Sequence, residues 1–159
     1  MGSRGQYALS LAGAIMFALV TQAHAADITR VPFPRPASIA TETTVPGGST
    51  LYYLSGALPT FDPKSPGDTE SQTRSAISKL VATLSALGLK PADVVKATVF
   101  LAGDAAKGGE MDFEGFSKAW AEVWPIGDAK LPARSTVKVA GLVLPGALIE
   151  IELIAARTK

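Results

Sequence analysis

Two segments with helical periodicity divide a chain whose other apolar runs are strand-like, and this order restricts the possible folds. The first helical segment begins at a predicted capping box of Thr69 and Gln72 and ends before Gly88. The second covers residues 112–124. Strand-like runs lie before, between and after them, in the order β-β-α-β-α-β-β. This order predicts an α+β fold in which both helices cover one face of a single sheet.

The predicted strands are β-branched or alternate apolar with polar residues, and they cover 41–45, 49–56, 94–101, 133–139 and 148–155. The first two flank Pro46-Gly47-Gly48, which predicts a hairpin. Residues 26–40 contain three prolines and are predicted to form an extended arm. A sheet covered by helices on one side leaves its other face free for a subunit interface.

The first 25 residues have the three parts of a secretory signal peptide. Arg4 precedes an apolar run over 8–20, and Ala23-His24-Ala25 forms a small-residue cleavage site. The apolar run is shorter than the roughly 20 residues that span a bilayer. We therefore expect an exported, periplasmic protein with one domain over 26–159 and no membrane contact after cleavage. An uncleaved anchor or a buried N-terminal helix is the alternative.

Cleavage would leave a chain with no histidine and no cysteine, because His24 is the sole histidine and cysteine is absent throughout. This composition excludes Cys/His zinc sites, disulfides and His-activated nucleophiles. A carboxylate-only Mg²⁺ or Ca²⁺ site stays possible, but the chain has no D-x-[DN]-x-[DN]-G loop, and we predict no metal. The 15 basic and 14 acidic residues become equal in number once Arg4 is removed. That balance argues against a nucleic-acid partner.

Near the C-terminus the stretch PARSTVKVAGL (132–142), followed after a short gap by IEIE (149–152), resembles the signature of the RidA/YjgF family. The segment Leu54-Ser55-Gly56 followed by Leu58-Pro59 is similar to the family's SGQ turn, and the resemblance extends over 49–159. It implies a chorismate-mutase-like fold, a homotrimeric barrel, and small-ligand sites between subunits. It also implies cofactor-independent hydrolysis of enamines and imines to a keto acid and ammonia.

The resemblance assigns roles to particular residues. Arg134 would pair with the substrate carboxylate, which suits the two parallel hydrogen bonds of a guanidinium, and Glu150 would orient or activate water. Ser55, Gly56 and Thr136 would line the pocket. Glu152, which shares the face of Glu150, is an alternative structural partner for Arg134.

The sequence departs from the family pattern at four places: Ala57 replaces the glutamine of the SGQ turn, Glu42 replaces an aromatic residue, Ser117 replaces an asparagine, and the loop over 103–111 is longer. The preferred function is hydrolytic deamination of small 2-imino or enamine acids. The alternative is a non-catalytic trimer that binds a small carboxylate, which the export signal and Glu42 favour. Ribonuclease activity is a distant third, since charge balance and the missing histidine oppose it.

Overall fold

The structure is a computed structural model that describes residues 26–159, so the predicted signal peptide lies outside the described residues. The strands are β1 (Thr29–Pro32), β2 (Ala40–Thr44), β3 (Thr50–Ala57), β4 (Val94–Leu101), β5 (Ala133–Lys138) and β6 (Ile149–Arg157). The helices are α1 (Thr69–Ala86) and α2 (Phe113–Ala121), with short 3-10 turns at Pro91–Asp93 and Ala105–Lys107. Neither helix is both long and apolar enough to cross a membrane.

Helix α1 begins with a capping box that differs from the predicted one. The N-cap is Asp68, whose carboxylate accepts a hydrogen bond from the backbone N–H of Ser71 at 2.8 Å. The Ser71 hydroxyl in turn accepts from the Asp68 backbone N–H at 3.1 Å. The predicted box of Thr69 and Gln72 is therefore wrong by one residue, because an aspartate just before it satisfies the same donors. The predicted end is confirmed, since Gly88 adopts the left-handed φ of +67°.

Both helices pack on one face of a sheet whose strand order is β1-β2-β5-β4-β6-β3. Alternate residues of β4, the central strand, point into this core, and Val99 and Leu101 are fully buried. One cluster joins the helices to the sheet; among its fully buried members are Leu84, Phe116, Trp120, Ile149, Ile151 and Leu153. The predicted layer arrangement, with helices on one side only, is confirmed.

The predicted hairpin around Pro46-Gly47-Gly48 is wrong. β3 pairs antiparallel with β6 over most of its length, whereas β2 lies four strand positions away and pairs with β1 and β5. The connection over 45–49 crosses one end of the sheet, a distance of about 19 Å at roughly 4.8 Å per strand. Five residues that include two glycines can span this distance. The Pro46-Gly47-Gly48 segment therefore connects two distant strands, β2 and β3, instead of forming a hairpin between neighbours.

The N-terminal arm is held mainly by side chains. β2 meets β5 at one backbone register pair, Ala40 with Ala133. Thr43 donates through Oγ1 to the carbonyl of Val95 at 2.8 Å, and the Arg30 guanidinium donates to the carbonyl of Ala92 at 2.8 Å. These side-chain hydrogen bonds explain why β2, a polar strand, stays beside β5 although the two strands share few backbone hydrogen bonds.

Candidate functional site

Arg134 and Thr136 extend from β5 toward the helices. In the parallel ladder between β4 and β5, Arg134 lies beside Ala97 and Thr136 beside Val99. Both β4 residues are buried beneath the helices, and residues in register share a face of the sheet. The two predicted site residues of β5 therefore lie on the covered face, which we call the inner face.

Arg134 is half-buried, and its guanidinium, whose Nη1 is enclosed, has no acidic partner among the described residues. Its central carbon lies 4.8 Å from the ring centre of Phe116 and 4.9 Å from that of Trp120. Burial lowers the pKa of Arg134 to about 10, which still leaves the group charged at neutral pH. A charge in this position favours an external anion, since nothing in 26–159 neutralises it.

Two buried polar atoms of the inner face also lack hydrogen-bond partners within 26–159. These are Nη1 of Arg134 and Oγ1 of Thr136. Buried polar atoms in folded proteins are nearly always paired, and an unpaired one costs about 1–3 kcal/mol. The side chains that the resemblance places in the pocket are thus among the few groups of this chain whose hydrogen bonding is incomplete.

Glu150 and Gly56 meet on the other side of the sheet. Glu150 lies in register with Phe100 on β4, opposite in parity to the buried residues Val99 and Leu101. Its carboxylate lies against Gly56 so closely that a Cβ at position 56 would collide with it. A register shift between Leu54 and Ala57 marks the irregular backbone that allows this approach.

Ser55 belongs to the same irregular part of β3 and is exposed. Together with Gly56 it lines a cleft between β3 and α1. The φ of Gly56 is not positive, so the effect of a side chain at position 56 would be to displace the Glu150 carboxylate. Ser55, Gly56 and Glu150 therefore form a second group of predicted site residues, on or beside what we call the outer face.

Within one chain the structure does not bring Arg134 and Glu150 together. Arg134 aligns with Ala97, whereas Glu150 aligns with Phe100, three residues along the same central strand. Because side chains alternate, the two point to opposite faces. The same register places Glu152 beside Thr98 on the outer face, so the alternative pairing of Glu152 with Arg134 within a chain is wrong.

Three of the departures from the family pattern lie on β2, on α2 and in the loop that precedes α2. Glu42 is exposed on β2 and accepts a hydrogen bond from the Thr44 hydroxyl at 2.8 Å, and Ser117 is half-buried on α2. The long loop is tied to β5 by an ion pair, with Lys138 Nζ 2.9 Å from a carboxylate oxygen of Glu110. Lys138 shares the inner face, two positions beyond Thr136.

The contact of Phe116 and Trp120 with Arg134 was not predicted from the sequence. They are also core residues, fully buried and 5.7 Å apart. Their four-residue spacing on a helix that covers β5 was the available signal.

The large apolar cleft between the proline-rich arm and 126–131 includes none of the predicted site residues. No group of three or more metal-ligating side chains occurs in the described part of the chain.

Comparison with known proteins extends these observations. A family model described as endoribonuclease L-PSP matches residues 36–157. The 2-iminobutanoate/2-iminopropanoate deaminase of Escherichia coli strain K12 is 34% identical over 110 residues, which cover 67% of this chain and 80% of that protein. A RutC family protein of Pyrococcus horikoshii is 36% identical over 110 residues, covering 66% of this chain and 78% of the relative.

Solved structures agree on the fold. A protein of the conserved Rid family from Yersinia pestis aligns with a TM-score of 0.60 and 22% identity, over 76% of this chain and 87% of that one. A YjgF family member from Mycobacterium tuberculosis aligns with a TM-score of 0.54 and 23% identity, over 82% and 100%. The predicted chorismate-mutase-like α+β fold is confirmed by these likenesses.

Proposed function

Because this chain belongs to the RidA/YjgF family, we propose that it hydrolyses small 2-imino or enamine acids to the keto acid and ammonia, without a metal or other cofactor. The observation that carries the proposal is Arg134, a buried guanidinium with no acidic partner in the described chain. A planar guanidinium can bind a carboxylate through two parallel hydrogen bonds. The substrate class is taken from the name of the Escherichia coli relative, a 2-iminobutanoate/2-iminopropanoate deaminase.

In the proposed reaction Arg134 anchors the carboxylate, so that the neighbouring imine carbon is held for attack by water. Glu150 accepts a proton from water as the water oxygen bonds to the carbon of the protonated imine, whose C=N electron pair moves onto nitrogen and makes it an amine. Glu150 then returns this proton to the nitrogen. The carbon–nitrogen bond breaks as the hydroxyl proton passes to Glu150 and the carbonyl forms, so ammonia leaves and Glu150 releases its proton to solvent. Glu150 must therefore reach the water within about 2.6–3.2 Å.

We further propose that the site is assembled between copies of this chain in a homotrimer. Arg134 and Glu150 lie on opposite faces of their own sheet, so a site containing both needs Glu150 from a second copy. The outer face also carries solvent-exposed apolar side chains, among them Tyr53 at 74% and Val137 at 43% exposure. Burying such a surface is the usual driving force of obligate assembly.

We propose export to the periplasm for the mature domain, on the strength of the signal-like residues 1–25. Nucleic acid is not among the proposed partners, although the matching family model carries the word endoribonuclease. Equal numbers of acidic and basic residues after cleavage oppose phosphate-backbone binding. Cleavage or retention of single-stranded RNA by the purified protein would contradict this part of the proposal.

The deaminase proposal is tested with 2-iminobutanoate generated in place by an amino-acid oxidase and trapped with semicarbazide. We expect the protein to remove the imine faster than buffer and Arg134→Met to lose about 10²–10³-fold in kcat/KM, since a buried charge pair is lost. Arg157→Met is the matched control, because Arg157 also contacts an aromatic ring, Tyr52, but is exposed. Full activity in Arg134→Met would remove the mechanism.

Glu42 supports a second candidate, a trimer that binds a small carboxylate without turning it over. This residue is an exposed acid on the strand beside β5, where the resemblance places an aromatic residue. An acid there weakens attraction for anionic substrates and leaves the site less closed. Saturable binding of 2-oxobutanoate without imine hydrolysis would favour this candidate over the enzyme.

A further inference from the structure

Phe116 and Trp120 form an aromatic wall against Arg134. Their ring centres lie 5.7 Å apart at an interplanar angle of 44°, and the guanidinium carbon is almost equidistant from both, at 4.8 and 4.9 Å. Both rings are fully buried. The Trp120 ring is fixed further by Nε1, which donates to the Ser38 carbonyl at 2.9 Å. The cation therefore contacts two immobile aromatic side chains.

The chemistry of this wall differs from that of an ion pair. An aspartate or glutamate beside Arg134 would stabilise the charge but would also compete with an incoming carboxylate. An aromatic ring attracts a cation through its quadrupole and accepts no conventional N–H···O hydrogen bond, so the charge and its donors remain free for an anion. Substrate recognition by a buried arginine requires this combination.

We propose that Phe116 and Trp120 are positioning residues, which hold the Arg134 guanidinium charged and without an acidic partner so that it can receive the substrate carboxylate. The inference rests on the proposed function of Arg134. It assigns to two core residues of α2 a role in ligand affinity that is separate from their contribution to stability.

The chain supplies a matched control in Trp124. This ring stacks on Trp120 with centres 4.2 Å apart, is 1% exposed, and donates through Nε1 to the Pro91 carbonyl at 3.1 Å. It has the same residue type, burial and hydrogen bonding as Trp120, but the rings facing Arg134 are those of Phe116 and Trp120. Leucine at position 124 therefore removes a comparable amount of core without removing the contact with the cation.

The experiment measures binding of 2-oxobutanoate by calorimetry, with thermal unfolding recorded for every variant. We expect Trp120→Leu to weaken binding about tenfold and Trp120→Phe to stay within about threefold of the wild type. Trp124→Leu should bind within about twofold while losing similar thermal stability. In an Arg134→Met background, Trp120→Leu should cause no further loss of affinity.

A second measurement covers the case in which Trp120→Leu fails to fold. The chain has two tryptophans, so Trp124→Phe leaves Trp120 as the single site for fluorinated tryptophan. Fluorine withdraws electron density from the ring face with little change in size, so affinity should fall with each added fluorine. A flat dependence, or equal losses in Trp120→Leu and Trp124→Leu, would overturn the inference. Unchanged binding in Arg134→Met would instead overturn the proposed function.

Discussion

The two groups of predicted site residues differ in almost every physical respect. The inner group, Arg134 and Thr136, is enclosed by helix side chains and contains buried polar atoms without partners among the described residues. The outer group, Glu150 with Ser55 and Gly56, lies on or beside a sheet face that no helix or strand of residues 26–159 covers, and the Glu150 carboxylate packs against Gly56. The inner group is enclosed within one chain, but its cation has no acidic partner among residues 26–159. The outer group has a carboxylate for proton transfer but lies on an open surface. We propose that the two groups complement each other across a subunit interface.

The largest expected effect comes from mixing two inactive variants. Arg134→Met and Glu150→Gln should each lose nearly all activity alone. If the site takes Arg134 from one copy and Glu150 from another, random co-assembly of equal amounts should restore about a quarter of wild-type activity, because one site in four receives both intact residues. Imine removal after joint refolding measures this.

The control for mixing is the chain that carries both substitutions. Combined with either single variant, it should restore no activity, because such a mixture lacks either every intact Arg134 or every intact Glu150. Absence of restored activity in the mixed sample of Arg134→Met and Glu150→Gln would contradict a site shared between copies. In that case the two faces could not be halves of one site.

The next effect tests the outer group alone. In Gly56→Ala the added methyl collides with the Glu150 carboxylate and displaces it, so kcat should fall by about 10²-fold, as displacements of about 1 Å can cause. Gly141→Ala is the control, because nothing lies within 4 Å of its Cβ position and its φ is not positive. Binding of 2-oxobutanoate should change little in either variant, since Arg134 is untouched. Equal kcat in the two variants would remove Glu150 from the mechanism.

Thr136→Val sharpens the comparison from the inner side. The Thr136 hydroxyl is buried without a partner within 26–159, so an isosteric methyl should leave the free energy of unfolding unchanged or raise it by up to about 1 kcal/mol. If the hydroxyl binds the substrate carboxylate, affinity for 2-oxobutanoate should fall about fivefold. Urea unfolding and calorimetry on the same preparations measure both. Lower stability with unchanged affinity would make Thr136 a structural residue.

The sequence predicted which residues belong to each group better than it predicted how the two groups lie relative to each other. Alternation along 133–139 and 148–155 was sufficient to place Arg134 with Thr136 and to separate Glu150 from Ile149. Their opposite faces follow only from the register of both strands with β4, which is a tertiary property. The hairpin prediction failed for the same reason, since a Pro-Gly-Gly signal specifies a change of direction and not the strand that is reached. The wall of Phe116 and Trp120 needed the packing of α2 on β5.

The smallest expected effect is a pH dependence confined to the inner group. Burial lowers the pKa of Arg134 to about 10, well below its ordinary value, so between the two the unfolded chain binds more protons than the folded one. Stability from this residue therefore rises as the pH increases through that window, and below pH 10 the full cost of the buried charge remains. Affinity for 2-oxobutanoate should be level from pH 7 to 9 and decline above pH 10.

The measurement compares wild type with Arg134→Met, because lysines and tyrosines titrate in the same range and their contributions cancel in the difference. Urea unfolding at pH 9 and at pH 10.5 should show the wild type gaining about 0.8 kcal/mol relative to Arg134→Met. Glu150→Gln retains Arg134 and should show the same gain relative to Arg134→Met. A wild type that gains no stability relative to Arg134→Met over this interval would mean that the cation is paired in the assembly, because a carboxylate partner raises the pKa of Arg134 above this range. The inner group would then be a structural contact between copies, and the outer group would have to bind the substrate without it.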